Sequence, residues 1–141
     1  MKNKIIFLVA LLCLTMFAFA GCGTFEGFDD DNTIINSRSS TSIGSFESDT
    51  PSQFIFNCSN FNGVKIIKNI TVPQNPKFSM TLNIDSGRFK IVLVKDNTVY
   101  VITESNTDSS VSVTLPAGTY SLRVVGEDAK MQFKFSYNSY N

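Results

Sequence analysis

Apolar and polar side chains alternate along two stretches of the chain, and this pattern limits the fold more than any other feature. The apolar members are Phe78, Met80, Leu82, Ile84, Met131, Phe133, Phe135 and Tyr137. Because successive side chains of a β-strand point to opposite faces, a period of two indicates strands with one buried and one solvated face. No stretch carries an apolar stripe at helical spacing long enough to compete with this pattern.

Six further apolar runs lie between turn-like residues. They cover residues 54–58, 64–72, 89–95, 98–104, 110–115 and 119–125. Asp85-Ser86-Gly87, Asp96-Asn97 and Gly126-Glu127-Asp128 suit turns between them, because Gly and Asn tolerate positive φ. About eight short strands at regular spacing predict an all-β fold, an antiparallel β-sandwich or jelly roll. A small closed barrel is the alternative.

The first 22 residues have the features of an export signal. Lys2 and Lys4 precede an apolar or small run over residues 5–20, and Gly21-Cys22 follows it. A positive start, a short apolar run and small residues at its end are typical of a secretory signal peptide. The run is also shorter than the roughly 20 residues that a membrane-spanning helix needs.

Phe19-Ala20-Gly21-Cys22 resembles the bacterial lipobox, with Phe19 in the position usually held by Leu. In lipoproteins with this motif, cleavage occurs before the cysteine and its sulfur receives a diacylglyceryl group. The resemblance implies a signal peptide over residues 1–21, lipid attachment at Cys22 and an extracytoplasmic protein anchored to the cell membrane. Two or three acyl chains anchor a protein firmly, since each buried CH₂ contributes about 0.8 kcal/mol.

Residues 22–51 are predicted to form a flexible tether, and residues 52–141 the β-sandwich domain. Ser occupies seven of the seventeen positions 36–52, and apolar periodicity is absent there. Such a segment buries too little apolar surface to offset the entropy lost on ordering. The acidic run 29–32 lacks the Gly and Glu of an EF-hand loop, so we interpret it as solvated rather than as a calcium site.

The charge and the residue types exclude several classes of function. The chain has 12 basic and 12 acidic residues, which gives no long-range attraction to nucleic acid. It has no His, which excludes Ser-His, Cys-His and His-metal sites, and we expect no metal and no cofactor. We therefore expect no enzymatic activity. A hydrolase would have to combine distant carboxylates such as Glu104, Asp108, Glu127 and Asp128.

Cys58 is the one thiol expected to remain after processing, because the leader takes Cys13 and lipidation uses Cys22. An internal disulfide is then impossible. We interpret Cys58 as a small apolar side chain at a strand end. Pairing between chains, metal binding and catalysis are the other roles open to it.

Both faces of the hairpin around Asp96-Asn97 are apolar at its middle. If exposed, Val92, Val94, Tyr100 and Ile102 would form a patch for a protein partner or for self-association. The alternative is that Ile34-Ile35, another loop or the curvature of the sheet covers them.

The four tyrosines fall into two groups. Tyr120 and Tyr137 lie in phase with apolar core positions and are expected to be buried, with each hydroxyl near a rim. Tyr100 and Tyr140 are the candidates for stacking against a sugar, in a chain that lacks Trp.

Residues 86–94 and 115–126, with the turn Pro116-Ala117-Gly118-Thr119-Tyr120, resemble the small jelly-roll-like sandwiches of bacterial exported proteins. The pre-peptidase C-terminal domains are one such family. The resemblance implies a non-catalytic accessory or ligand-binding module and transfers no ligand or site residue. We expect a membrane-anchored lipoprotein that binds an envelope protein or a glycan, with the oligomeric state open. An envelope hydrolase and a purely structural surface lipoprotein are the alternatives.

Overall fold

The computed structural model of the protein describes residues 25–137, which form one short helix and seven strands. The elements are α1 (Asp31–Asn36), β1 (Ser40–Ile43), β2 (Phe46–Asp49), β3 (Gln53–Val72), β4 (Lys77–Lys95), β5 (Thr98–Thr103), β6 (Thr107–Ser112) and β7 (Gly118–Ser136). All strand pairs are antiparallel. The predicted all-β antiparallel class is therefore confirmed. The predicted leader, Cys22 and Tyr140 lie outside the described residues.

Three strands of 19 or 20 residues dominate the sheet. The order is β1-β3-β7-β4-β5, with β2 also paired to β3 and β6 to β4. Each long strand joins two runs that the sequence analysis treated as separate strands. The turns expected at Asp85-Ser86-Gly87 and Gly126-Glu127-Asp128 are therefore wrong, since β4 and β7 continue through both segments.

These segments are bends instead of turns. The register shifts at Cys58/Phe61 in β3 and at Ile84/Ser86 in β4 mark β-bulges, which increase local twist and bend a strand. Gly87 has φ +73°, and a Cβ there would lie 2.2 Å from the Asp128 carbonyl oxygen. Only glycine fits this position, because β4 and β7 approach each other closely at the bend.

The bends fold the sheet onto itself. Phe89 pairs with Gly126, and Phe133 lies seven residues further along β7, about 24 Å away in a flat strand. The rings of Phe89 and Phe133 are nevertheless 6.0 Å apart. The result is a two-layer sandwich. Layer A contains β2, β6 and residues 53–58, 77–84 and 131–136, and layer B contains β5 and residues 63–72, 88–95 and 118–126.

One aromatic-rich core lies between the layers. Its fully buried aromatic residues are Phe54, Phe56, Phe61, Phe78, Phe89, Tyr120, Phe133 and Phe135. The alternation that predicted strands also predicted this inward face, including Phe78, Met80 and Leu82. Tyr120 and Tyr137 are buried as expected, and their hydroxyls donate to the Pro116 carbonyl oxygen and to Asp49 Oδ1 at the rim.

The outer face of layer B is covered by residues 25–37, which we call the N-terminal cover. Phe28 and Ile34 are 2% and 0% exposed and pack in a second cluster with Val64, Val92 and Val125. The expected flexible tether over residues 22–51 is thus not found in its described part. Residues 25–37 cover layer B, and β1 and β2 extend the sheet along β3.

Isolated anchors explain why the segment is ordered despite its composition. Burial of two apolar side chains stabilises the segment although they follow no period. Strand pairing uses backbone groups, so a Ser-rich sequence can also form it. Among the described residues the domain therefore begins at Phe25 instead of residue 52.

Candidate functional site

The patch predicted at Val92, Val94, Tyr100 and Ile102 does not exist as one surface. The two-residue turn Asp96-Asn97, with φ 48° and 59°, sets the pairs Val94↔Val99, Leu93↔Tyr100 and Val92↔Val101. Directly opposite residues of an antiparallel pair share a face. Val92 and Val94 therefore face the N-terminal cover, whereas Tyr100 and Ile102 face the core, and the prediction joined residues of opposite faces.

Burial confirms this division. Val92, Val94 and Ile102 are 0%, 7% and 6% exposed. The half-buried Tyr100 packs edge-on against Tyr120, with ring centroids 5.7 Å apart. Ile34 lies in the cluster over Val92 and Val94, as the alternative interpretation in the sequence analysis proposed.

A cluster of cations holds the N-terminal cover on layer B. Arg88 donates two hydrogen bonds to the carboxylate of Asp29, at 2.7 and 2.8 Å, and its guanidinium lies 4.0 Å from the centre of the Phe28 ring. These hydrogen bonds lower the pKa of Asp29 below its ordinary value of 3.8 and raise the pKa of Arg88. The ammonium of the buried Lys90 lies 4.5 Å from the same ring.

Arg123 holds the other end of the cover. It is 8% exposed, and one of its terminal nitrogens donates to the carbonyl oxygens of Ile34 and Ile35, each at 2.7 Å. Carbonyls at the end of a helix lack intrahelical partners, so the guanidinium satisfies two of them. Burial, and then the charge of Arg38, lowers the pKa of Arg123. The cluster thus has a structural role.

The four carboxylates named as hydrolase candidates do not form one group in the chain. Glu127 lies 3.4 Å from Arg88, and Asp128 accepts a hydrogen bond from the Asn62 amide at 2.9 Å. Asp108 accepts from the Thr81 hydroxyl at 3.2 Å, and Glu104 is exposed in the loop after β5. The described residues contain no group of three or more His, Cys, Asp or Glu side chains placed to hold a metal ion.

Cys58 is a buried free thiol inside β3, instead of at a strand end. Its Sγ donates to the carbonyl oxygens of Asn60 and Ile43, at 2.9 and 3.3 Å. It lies beside the gap between β1 and β2, where Gly44 has φ +58°. The small, buried side chain expected from the sequence therefore fills a bulge at the edge of the sheet.

Charged pairs close the edge where β2 meets layer B. Glu47 and Asp49 lie opposite the inward-facing Phe56 and Phe54. They reach Lys65 and Lys68 of the other layer at 2.8 and 3.2 Å. Inward-pointing charges of this kind protect a sheet edge from pairing with other chains.

The outer face of layer A has no such cover and is mostly exposed. A row of side chains crosses it through the pairs Phe46↔Asn57, Asn57↔Gln132 and Asn83↔Gln132. Asn106 extends the row, because its Nδ2 donates to Asn83 Oδ1 at 3.3 Å. We call Asn57, Gln132, Asn83 and Asn106 the amide row. Phe46, 57% exposed, stands at its open end.

Two more rows lie beside the amide row on this face. The neighbouring rows contain Ser48, Ile55, Lys134, Thr81 and Asp108, and then Gln53, Ser136, Ser79 and Ser110. Lys134 and Asp108 are the charged members of these two rows, one of each sign. Further charges lie at the margins of the face, on Lys77 opposite Ser112 and on Lys130, whose ammonium is 3.5 Å from Asp85. A shallow depression at its far end is lined by Thr81, Asn83, Asn106 and Asp108, among others.

Sequence reasoning found part of this face. The alternation placed Asn83 and Gln132 on the wet side of their strands, which the structure confirms. Phe46 was missed because it fell within the expected tether, and Asn57 and Asn106 join the row only through strand register.

No helix within residues 25–137 is long and apolar enough to cross a membrane. Neither the protein-family models nor the curated proteins compared with the chain give a match.

Proposed function

We propose that the protein is a lipid-anchored extracytoplasmic lipoprotein whose β-sandwich is a non-catalytic binding module of the cell envelope. One observation carries the proposal. The apolar run 5–20 is followed by Gly21-Cys22 and precedes a domain whose described residues bury their own core without the run. A signal peptide removed before Cys22 gives this run a role, and the motif supplies the cysteine for acylation.

The short connection to the domain fits a surface-bound module. Two residues, Gly23 and Thr24, separate Cys22 from Phe25, so their Cα atoms lie at most about 11 Å apart in an extended chain. With Cys22 acylated, the domain lies directly on the membrane instead of on a long stalk. The N-terminal cover lies on layer B, so the outer face of layer A is on the opposite side of the sandwich from the attachment point. That uncovered face is the candidate for binding an envelope glycan or protein.

The non-catalytic part of the proposal rests on the surroundings of the polar groups. Glu127 and Asp128 hold Arg88 and Asn62 at the bend of β7, where they stabilise the fold. Asp108 lies on the open, flat face of layer A. The resemblance of residues 115–126 to sandwich domains of exported proteins also favours an accessory module over an enzyme.

The lipid anchor is tested by Cys22→Ser in the full chain. We expect the variant to escape maturation and to move from the detergent phase to the aqueous phase on phase partitioning. Mass spectrometry of the unaltered protein should find Cys22 at the amino terminus with its acyl groups.

Cys13→Ser is the matched control, because it changes a leader cysteine that lies inside the apolar run. It should leave both partitioning and mature mass unchanged. Unaltered partitioning of Cys22→Ser, or a mature protein with an unmodified Cys22, would refute the anchor.

A further inference from the structure

We infer that the outer face of layer A binds a neutral polysaccharide chain laid along the amide row, with Phe46 stacked on a sugar ring. The inference deepens the proposed function, since it names the site and the ligand class of the binding module.

The hydrogen-bonding capacity of the row is partly unused. Neither the Asn57 nor the Gln132 side chain makes a hydrogen bond with another described residue, and Gln132 is exposed while Asn57 is half-buried. Each amide offers two N–H donors and one acceptor oxygen. The hydroxyl groups of a sugar both donate and accept, so they match such a set better than an anionic or apolar ligand does.

The charge of the face selects among ligands. The amide row itself holds no ionised group. Lys134 and Asp108 lie in the next row, and Lys77 and the Lys130–Asp85 pair lie at the margins of the face. A polyanion laid along the amide row would meet no cation within the row, and exposed ion pairs with the separated lysines around it are each worth little. An uncharged chain needs no counter-charge in the row, which favours neutral sugars over uronic acids, nucleic acid or acidic peptides.

The geometry of the row also fits a repeating ligand. Its members come from adjacent strands, which lie about 4.8 Å apart in the hydrogen-bonding direction. This spacing is close to the length of one hexose unit in an extended chain, so successive sugars can meet successive amides. Phe46 presents a flat apolar ring at the β2 end, where it can cover the apolar face of a pyranose.

The test measures binding of neutral oligosaccharides to the full mature protein in detergent micelles. The panel contains hexasaccharides of β-1,4-linked glucose, β-1,4-linked N-acetylglucosamine, β-1,4-linked mannose and α-1,4-linked glucose, with a polygalacturonic acid fragment as the charged comparison. We expect calorimetric binding of at least one neutral member and none of the acidic fragment. If no neutral member binds, or the acidic fragment binds best, the inference is overturned.

Matched variants locate the site. Asn57→Ala with Gln132→Ala, and separately Phe46→Ala, should weaken the affinity by about tenfold or more. Asn69→Ala, an exposed Asn in the layer B part of the same strand, and Ile43→Ala, an exposed apolar residue of the same edge, should not. Equal loss in variants and controls, with folding intact by circular dichroism, would overturn the assignment to this face.

The same protein sample separates the two proposals. If the protein is acylated but binds no neutral glycan, the lipid anchor stands and the inferred ligand is wrong. If the protein binds a neutral glycan but carries no acyl groups, the ligand stands and the anchor is wrong. Analytical sedimentation tests the competing possibility that a second copy of the chain occupies the face. Self-association that Phe46→Ala abolishes, without glycan binding, would assign the face to a second copy of the chain and overturn the inference.

Discussion

Arg123 connects β7 to the N-terminal cover. Its guanidinium donates to the Ile34 and Ile35 carbonyl oxygens, and its Nε donates to Ser121 Oγ at 3.1 Å. A buried cation normally needs a carboxylate partner, but here helix-end carbonyls take that place. The favourable interaction with the negative end of α1 offsets part of the cost of burying the charge.

Arg123→Met should therefore weaken the attachment of the N-terminal cover. The substitution keeps most of the side-chain length and removes the donors, leaving two carbonyls under-satisfied, so we expect a loss of about 2 kcal/mol in the free energy of unfolding. Urea denaturation measures the loss, and amide exchange should accelerate in α1. The exposed Arg38→Met is the control and should change stability little. An Arg123→Met variant as stable as the parent would contradict the role assigned to the guanidinium.

At the scale of elements, the N-terminal cover determines which face of the sandwich is available. It places Phe28 and Ile34 over β4 and β7, and it turns a face that alternation alone would leave wet into a second core. The sequence indicated that this face is covered, because Val92, Val94 and Val125 occupy positions that are polar on a solvated face. Ile34-Ile35 was one of the candidate covers, but the sequence could not choose it over another loop or sheet curvature. Phe28 was missed altogether, because a single apolar residue in a polar stretch has no period.

Val92→Lys tests the cover directly. The ammonium would replace a fully buried side chain without a partner, so we expect a destabilisation of about 3–5 kcal/mol. Val101 pairs with Val92 across the hairpin but is 45% exposed, and Val101→Lys should change stability by less than about 0.5 kcal/mol. Thermal or urea unfolding measures both. Similar effects of the two substitutions would mean that Val92 is not covered.

Acid should loosen the same element. Hydrogen bonds from Arg88 to Asp29, and from Thr33 to Asp30 at the start of α1, lower the pKa of both carboxyls below the ordinary 3.8. Their contribution to stability is therefore present in full above that value and is lost as the pH falls through the lowered folded-state values. As the pH falls below about 4, amide exchange in α1, corrected for the intrinsic rate, should accelerate relative to β7.

Two substitutions separate the carboxylates of this segment. Asp29→Asn should remove part of the acid dependence, because it removes the charge that Arg88 holds. Asp31→Asn changes an exposed carboxylate in the first turn of α1 and should leave the dependence as it was. If α1 exchanges at the same corrected rate above and below about pH 4, the carboxylates do not hold the cover.

At the scale of the whole molecule, local patterns predicted the strands and missed their continuity. Asp85-Ser86-Gly87 and Gly126-Glu127-Asp128 have the composition of turns, and the same residue types also form bulges. The choice between a turn and a bend depends on which strands lie on either side, and that is settled by pairings between distant residues. The class of fold and the inward face were therefore predictable, whereas the number of strands was not.

For the candidate site, too, the exposure of single residues was predictable, whereas their arrangement was not. Alternation placed Asn83 and Gln132 toward solvent, but the row they form with Asn57 and Phe46 depends on the register of four strands. The patch predicted around Val92 failed for a related reason, since a two-residue turn fixes which neighbours share a face. Sequence periodicity predicts that a side chain is exposed, and the register of the paired strands determines which other residues lie beside it.

The position of β7 in the chain affects how the protein can be made. β7 lies between β3 and β4 along nearly its whole length and in both layers, yet it is the last of the described strands to emerge during synthesis. Until it is complete, the two other long strands have no common neighbour and the aromatic side chains have no interior to enter. We therefore expect a polypeptide that ends before β7 to lack both the sandwich and its interior.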